Sequence, residues 1–212
     1  MKTGLLTGIL VMLLTQWAPA HADETVVAVG DSITHGGGTY DPERFNWPQQ
    51  MGAEVIAVPG GCIVTEVCEG PLPSQGYRHD VLAEHPDVVI LAYGMNDLIH
   101  SSAEEIVAGL KDLRRRNAKR GVATFVATLT PVGERVWGLD SHRVELNNLI
   151  RQRFAAWRII DFSAALIGPD GRLPARYDSG DNLHPNARAY KKMAWTARRA
   201  LRESHWATRV RP

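Results

Sequence analysis

Five short apolar runs, separated by helical patterns, constrain this chain more than any other feature. Thr25–Val29, Glu54–Val58, Asp87–Ala92, Val122–Leu129 and Arg158–Phe162 are nearly continuous in apolar residues rather than alternating. That is the pattern of strands buried on both faces. Helices fill the intervals. Ala103–Arg120 carries a Ser102-x-x-Glu105 capping box, Ile106, Leu110 and Leu113 on one face, and Gly121 at its end. A second helix runs from about Ser141 to Phe154, and a third follows Pro185, which the pattern puts at the first helical position. Strand–helix alternation of this kind predicts a parallel sheet of about five strands, covered on both faces through right-handed crossovers. No internal repeat or long linker divides it.

Open α/β sheets bind ligands at the carboxyl ends of their strands. Here those ends are Gly30-Asp31-Ser32, Pro59-Gly60-Gly61 and Tyr93-Gly94-Met95-Asn96-Asp97, so three polar clusters fall on one edge. A serine hydroxyl becomes a useful nucleophile only when a base takes its proton and a third group orients that base. The stretch "DSGDNLHPN" (Asp178–Asn186) supplies both partners. Asp181 and His184 stand three residues apart, so one turn brings the carboxylate to the imidazole and leaves the other ring nitrogen for Ser32. Donors for a developing oxyanion are the backbone N–H groups of Ser32 and Gly61, with Gly60 as the alternative glycine, and the side-chain amide of Asn96. Asp97 is assigned to hydrogen-bonding the nucleophile loop, because a carboxylate beside an oxyanion donor opposes the developing charge. His35 has no paired acid, and the glycines after it (Gly36–Gly38) read as a flexible segment behind the nucleophile. Trp47, Met95, Trp137 and Leu183 are candidates for lining a substrate pocket, whereas Arg135 reads as solvated.

"GDSIT" (Gly30–Thr34), "GMND" (Gly94–Asp97) and "DNLH" (Asp181–His184) resemble, in that order, the three best-defined blocks of the GDSL, or SGNH, hydrolases. The resemblance implies a flavodoxin-like three-layer α/β/α sandwich and a serine esterase or lipase without a metal cofactor. It further implies Ser32 as nucleophile, Asp181 and His184 as the rest of a triad, and Ser32, Gly61 and Asn96 as the oxyanion hole. The second block departs from the family: Ile56 stands where an Asn is frequent. Cys62 directly follows Gly61, and a Cys62–Cys68 bridge would stiffen that loop in compensation.

Residues 1–22 read as a secretory signal peptide: Lys2, an apolar stretch from Gly4 to Leu14 too short to span a bilayer, then Ala20-His21-Ala22 before the cut. Residues 23–212 form the expected hydrolase domain. Losing Lys2 takes the formal charge from +1 to 0, which gives no electrostatic reason for a nucleic-acid or anionic-membrane partner. Two cysteines in an exported chain predict one disulfide. The expected function is hydrolysis of short-acyl or O-acetyl carboxylic esters, of small molecules or polysaccharides, in the periplasm or outside the cell. The alternatives are acyl transfer to a cell-envelope or sugar hydroxyl by the same triad, and a catalytically silent carbohydrate-binding protein on the same fold.

Overall fold

Val26–Gly30 (β1) is the strand around which the sheet is built, and the chain after it breaks at once into short helices. In chain order these are α1 (Ser32–His35), α2 (Pro42–Phe45) and α3 (Trp47–Met51), followed by β2 (Glu54–Ala57) and α4 (Pro73–Asp80). Then come β3 (Val88–Ala92), α5 (Ala103–Ala118), β4 (Ala123–Ala127), α6 (Leu139–Arg153), β5 (Ile159–Ile160), α7 (Phe162–Leu166) and α8 (Ala187–Ser204). These elements come from a computed structural model that describes residues 24–204 apart from Glu69, Pro71, Arg135 and Trp137. The expected signal peptide, and the assignments made for Arg135 and Trp137, lie outside the described residues.

The strands run parallel in the order β2-β1-β3-β4-β5. β1 lies between β2 and β3 in tight register, Val29 opposite Ile56 on one side and Leu91 on the other. Val27, Ala28, Val88, Val89, Ile90, Phe125 and Val126 are completely buried, which is why these strands read as unbroken apolar runs. One helical layer packs α3 and α7 on α8, and the other pairs α5 with α6. The result is the three-layer α/β/α sandwich. The chain leaves β1 toward β2 on one side and returns to β3 on the other, so a crevice opens at their carboxyl ends. Ser32 follows β1 and Asn96 follows β3, placing both at that crevice.

Local chemistry sets the element boundaries. The Ser102 hydroxyl accepts from Glu105 N–H while the Glu105 carboxylate accepts from Ser102 N–H, closing the predicted box at the start of α5. β4 and β5 are much shorter than their apolar runs. β4 stops at Ala127 because Leu129 takes its hydrogen bonds from a side chain: its N–H donates to Asn147 Oδ1 (2.7 Å) and its carbonyl accepts from Asn147 Nδ2 (3.0 Å). β5 ends at Ile160 because Asp161 caps α7, accepting from Ala164 N–H, and this turns Phe162 into the helical layer edge-on to Trp47. Pro185 is not the first helical residue of α8. It forms a bridge with Asp178, and Asn186 caps the helix by accepting from Ala189 N–H.

Asn147 is buried and substitutes for a neighbouring strand. Asn147→Ala should strand both Leu129 groups, at about 1–3 kcal/mol for each buried group left unsatisfied. Denaturant unfolding should show a loss of at least about 2 kcal/mol; a midpoint equal to wild type would mean that Leu129 finds other partners.

Candidate active site

Ser32 opens α1 directly after the sheet. Asp31 caps this turn, its Oδ1 accepting from Ile33 N–H at 3.0 Å. The Ser32 N–H stands in the first turn, where helical amides have no intrahelical acceptor. From the far end of the chain, the loop before α8 carries His184 to the same place. His184 Nε2 lies 2.9 Å from Ser32 Oγ, and His184 Nδ1 lies 2.6 Å from Asp181 Oδ2. Sequence reasoning placed these residues together, and the structure brings them into one hydrogen-bonded chain.

The Asp181 carboxylate has three donors. Besides the imidazole, its Oδ1 accepts from Leu183 N–H (2.9 Å) and His184 N–H (2.8 Å). Partial burial works against the charge, but these bonds outweigh it and hold the carboxyl at about 2. Asp181 is therefore ionised at neutral pH and has no proton to give. The proton of their shared hydrogen bond must sit on Nδ1, which leaves the Nε2 lone pair to accept from the Ser32 hydroxyl.

The loop around His184 is wired tightly. Ser179 N–H donates to His184 O, Asp178 Oδ1 accepts from Gly180 and Asn182 N–H, and Gly133 N–H donates to Asn182 O at 2.7 Å. Asn182 sits in the left-handed region at φ 66°, which tightens the turn between acid and base. The glycines after His35 have a steric task rather than the flexible role expected of them. A Cβ on Gly37 would lie 2.8 Å from His184 Cδ2, and one on Gly38 would lie 2.7 Å from His184 Cβ. Only bare backbone lets the imidazole approach this closely, and the buried Tyr190 hydroxyl fixes the segment by donating to Gly37 O at 2.8 Å. Tyr190 reads in sequence only as one more apolar position on α8, so nothing in its spacing announces this task.

The donor side of the site is built from the other two clusters. Val58-Pro59-Gly60-Gly61 forms a turn with Gly60 at φ 74°, and Gly61 N–H donates to Val58 O at 2.9 Å. The Gly61 amide expected to serve an oxyanion is thus already engaged, and it reaches a substrate oxygen only by sharing or exchanging that bond. Asn96 lies beside it, one Nδ2–H bonded to Gly61 O at 2.9 Å. An Asn amide has a second N–H, so Asn96 can donate outward without rearrangement.

Three other assignments change. Asp97 does not bond the nucleophile loop: its buried carboxylate accepts from Ile63 N–H and Val64 N–H and so ties the second cluster to the third. Burial pushes its pKa up, against those backbone bonds. Trp47 is completely buried against Phe162, and Met95 is buried too, so neither forms an exposed substrate wall; Leu183 is half-buried. Cys62 and Cys68 form the expected disulfide immediately after Gly61. An open groove of about 410 Å³ beside α8, flanked by Trp157 and Trp195, contains none of Ser32, Asp181 and His184.

The chain is similar to known proteins in sequence family and in fold. The GDSL-like lipase/acylhydrolase family matches residues 28–192. A multidomain esterase of Ruminococcus flavefaciens is 28% identical over 116 residues, 51% of this chain and 14% of that protein, so the chain spans only a small part of that relative's length. The crystal structure of a GDSL-like lipase from Bacteroides thetaiotaomicron VPI-5482 superposes with a TM-score of 0.71 at 16% identity, covering 85% of this chain and 89% of the other. A catalytic mutant of an acetylxylan esterase from Geobacillus stearothermophilus gives 0.66 at 15% identity, covering 87% and 96%. At these identities the two structures show a shared fold.

The acid side of the stability curve tests the Asp181 environment. Its folded pKa of about 2 lies below the ordinary 3.8, so its stabilising contribution is present above about pH 4 and is lost as the pH falls toward 2. Asp181→Asn should therefore show a smaller fall in melting temperature than wild type between about pH 4 and pH 2. Equal falls would mean that the carboxylate is not held by these donors.

Proposed function

Because the chain belongs to the GDSL-like lipase/acylhydrolase family, we propose that it is an exported serine esterase that cleaves carboxylic esters through an acyl-serine intermediate. One observation carries the reading: the unbroken chain from Ser32 Oγ through His184 to Asp181, at 2.9 and 2.6 Å. His184 Nε2 takes the hydroxyl proton as Ser32 Oγ attacks the ester carbonyl carbon. The carbonyl oxygen becomes an oxyanion, stabilised by Asn96 Nδ2–H and Ser32 N–H, with Gly61 joining if its turn yields. Collapse breaks the ester C–O bond, and the leaving alkoxide takes the proton from His184. A water then gives a proton to Nε2 and adds to the acyl carbon; the acyl C–Oγ bond breaks, Ser32 Oγ takes the proton back from His184, and the acid leaves. Asp181 remains ionised throughout and steadies the imidazolium that forms twice per turnover.

Short acyl groups, O-acetyl above all, are the substrates this reading favours. The site is an open sheet edge, and a neighbour of the same fold is an acetylxylan esterase. Export is supported by the disulfide beside the site and by the amino-terminal signal pattern. No helix among the described residues is long and apolar enough to cross a membrane.

Rapid mixing with p-nitrophenyl acetate should give a burst of nitrophenol in the wild type and none in Ser32→Ala, with acetate released from acetylated xylan in preference to long-chain acyl esters. A burst that survives in Ser32→Ala would assign the nucleophile elsewhere. Asn96→Ala should lower kcat about a hundred- to a thousandfold, as expected for one oxyanion donor; a kcat within about twofold of wild type would remove Asn96 from the hole.

A further inference from the structure

Behind Ser32, on the core side of the site, is a cavity of about 20 Å³ bounded by the α1 turn, α3, and the loop after β4. Among the polar residues that line it are Asp31, Thr34, Trp47 and Thr130. Each is nearly or completely buried, between 0 and 2% exposed. Thr34 Oγ1, Trp47 Nε1 and Thr130 Oγ1 have no hydrogen-bond partner among the described residues. Buried polar side chains are overwhelmingly paired, and leaving one unpaired is costly. Three orphans facing one small cavity, with a carboxyl group beside them, point to a common ligand.

We propose that this cavity is the binding site of a single ordered water, which joins Trp47, Thr34 and Thr130 to the Asp31 carboxyl and makes Asp31 a positioning residue for the nucleophile turn.

Chemistry narrows the occupant to water. The indole N–H is a donor only, whereas the carbonyl oxygen of the Asp31 carboxyl accepts in either protonation state, so the bridge must accept and donate at once. A cation is opposed by the indole N–H, and an anion by Asp31. One water needs roughly 10–15 Å³ of this kind of volume and two to four polar partners. The cavity offers room for one, with four partners.

The bridge also answers an electrostatic need. Burial drives Asp31 up to about 7, the Ile33 N–H bond opposes this, the Asp97 carboxylate adds to it, and the His184 ring opposes it again. The buried hydroxyls of Tyr93 and Tyr190 are the remaining titratable groups that sense Asp31. A donor from the water side adds to the Ile33 amide and the backbone amide of Asp31 itself, which already oppose that shift. Asp31 caps α1, and Thr34 follows Ser32 by two residues within it. A water shared with Trp47 of α3 and Thr130 therefore locks the nucleophile turn to two other parts of the fold.

The role of this water in turnover rests on Ser32 being the nucleophile, but its presence does not, so the two readings fail separately. A crystal structure of the wild type at about 1.2 Å or better should show one water within about 3.2 Å of Trp47 Nε1 and of at least one threonine hydroxyl. A cavity without such density overturns the site. Thr130→Val and Thr34→Val remove one partner each while nearly conserving shape. Each should lower kcat about three- to tenfold with KM within about twofold, the pattern of a misplaced reacting group rather than lost binding. Native kcat in both variants overturns the positioning role. The wild-type indole N–H of Trp47 should show a nuclear Overhauser contact to a slowly exchanging water, which tests the site even if a variant fails to fold. Absence of that contact counts against it.

Discussion

The hydrogen bond between His184 Nε2 and Ser32 Oγ joins residues 152 positions apart, and much of the structure exists to let it form. Closing so long a loop costs conformational entropy, and a single hydrogen bond contributes only about 0.5–1.5 kcal/mol net. The pair is therefore a product of the fold and no support for it. The sheet fixes Ser32 by ending β1 with Asp31 as a cap. α8 packs its buried Ala189, Tyr190, Met193 and Ala197 into the core, and so holds the His184 loop against the same edge. Gly37 and Gly38 then allow the last few tenths of an ångström of approach.

Charge is handled unevenly around this bond. Asp181 lies at the surface side, receives three donors, and is held ionised. Asp31 and Asp97 are buried, and burial raises both. Their work is structural: Asp31 closes the Ser32 turn, while Asp97 pins the Ile63–Val64 backbone beside Asn96. One carboxylate holds the imidazole; the other two shape the loops that surround it. Their surroundings, rather than their residue type, separate the roles.

The second cluster shows how a departure from a family pattern is absorbed. Ile56 occupies the position where an Asn is frequent, and here it is a partly buried edge-strand residue packed on the core. The loop it leads into is fixed by other means. A type II turn uses the Gly61 N–H internally, Asn96 grips the Gly61 carbonyl, Asp97 takes two backbone amides, and the Cys62–Cys68 bridge closes the segment. The same turn that orders Gly61 also engages its amide, whereas the Asn96 amide carries a second N–H beyond the one on the Gly61 carbonyl.

The layers, the strand sequence and the meeting of three polar clusters were legible in the chain, because buried parallel strands must be continuously apolar and their carboxyl ends must carry the loops. The capping box of α5 and the Asp181–His184 pair were legible too, since both are contacts between residues three apart. Contacts made across the fold were not. Asn147 standing in for a strand beside Leu129, Asp97 reaching Ile63, Tyr190 holding Gly37, and the buried polar cavity behind Ser32 depend on which surfaces come together. A pattern read along one segment reports that segment's periodicity and its local turns. It holds no information on the partner that a buried polar atom will meet, because that partner is chosen by packing, in three dimensions, after the layers have assembled.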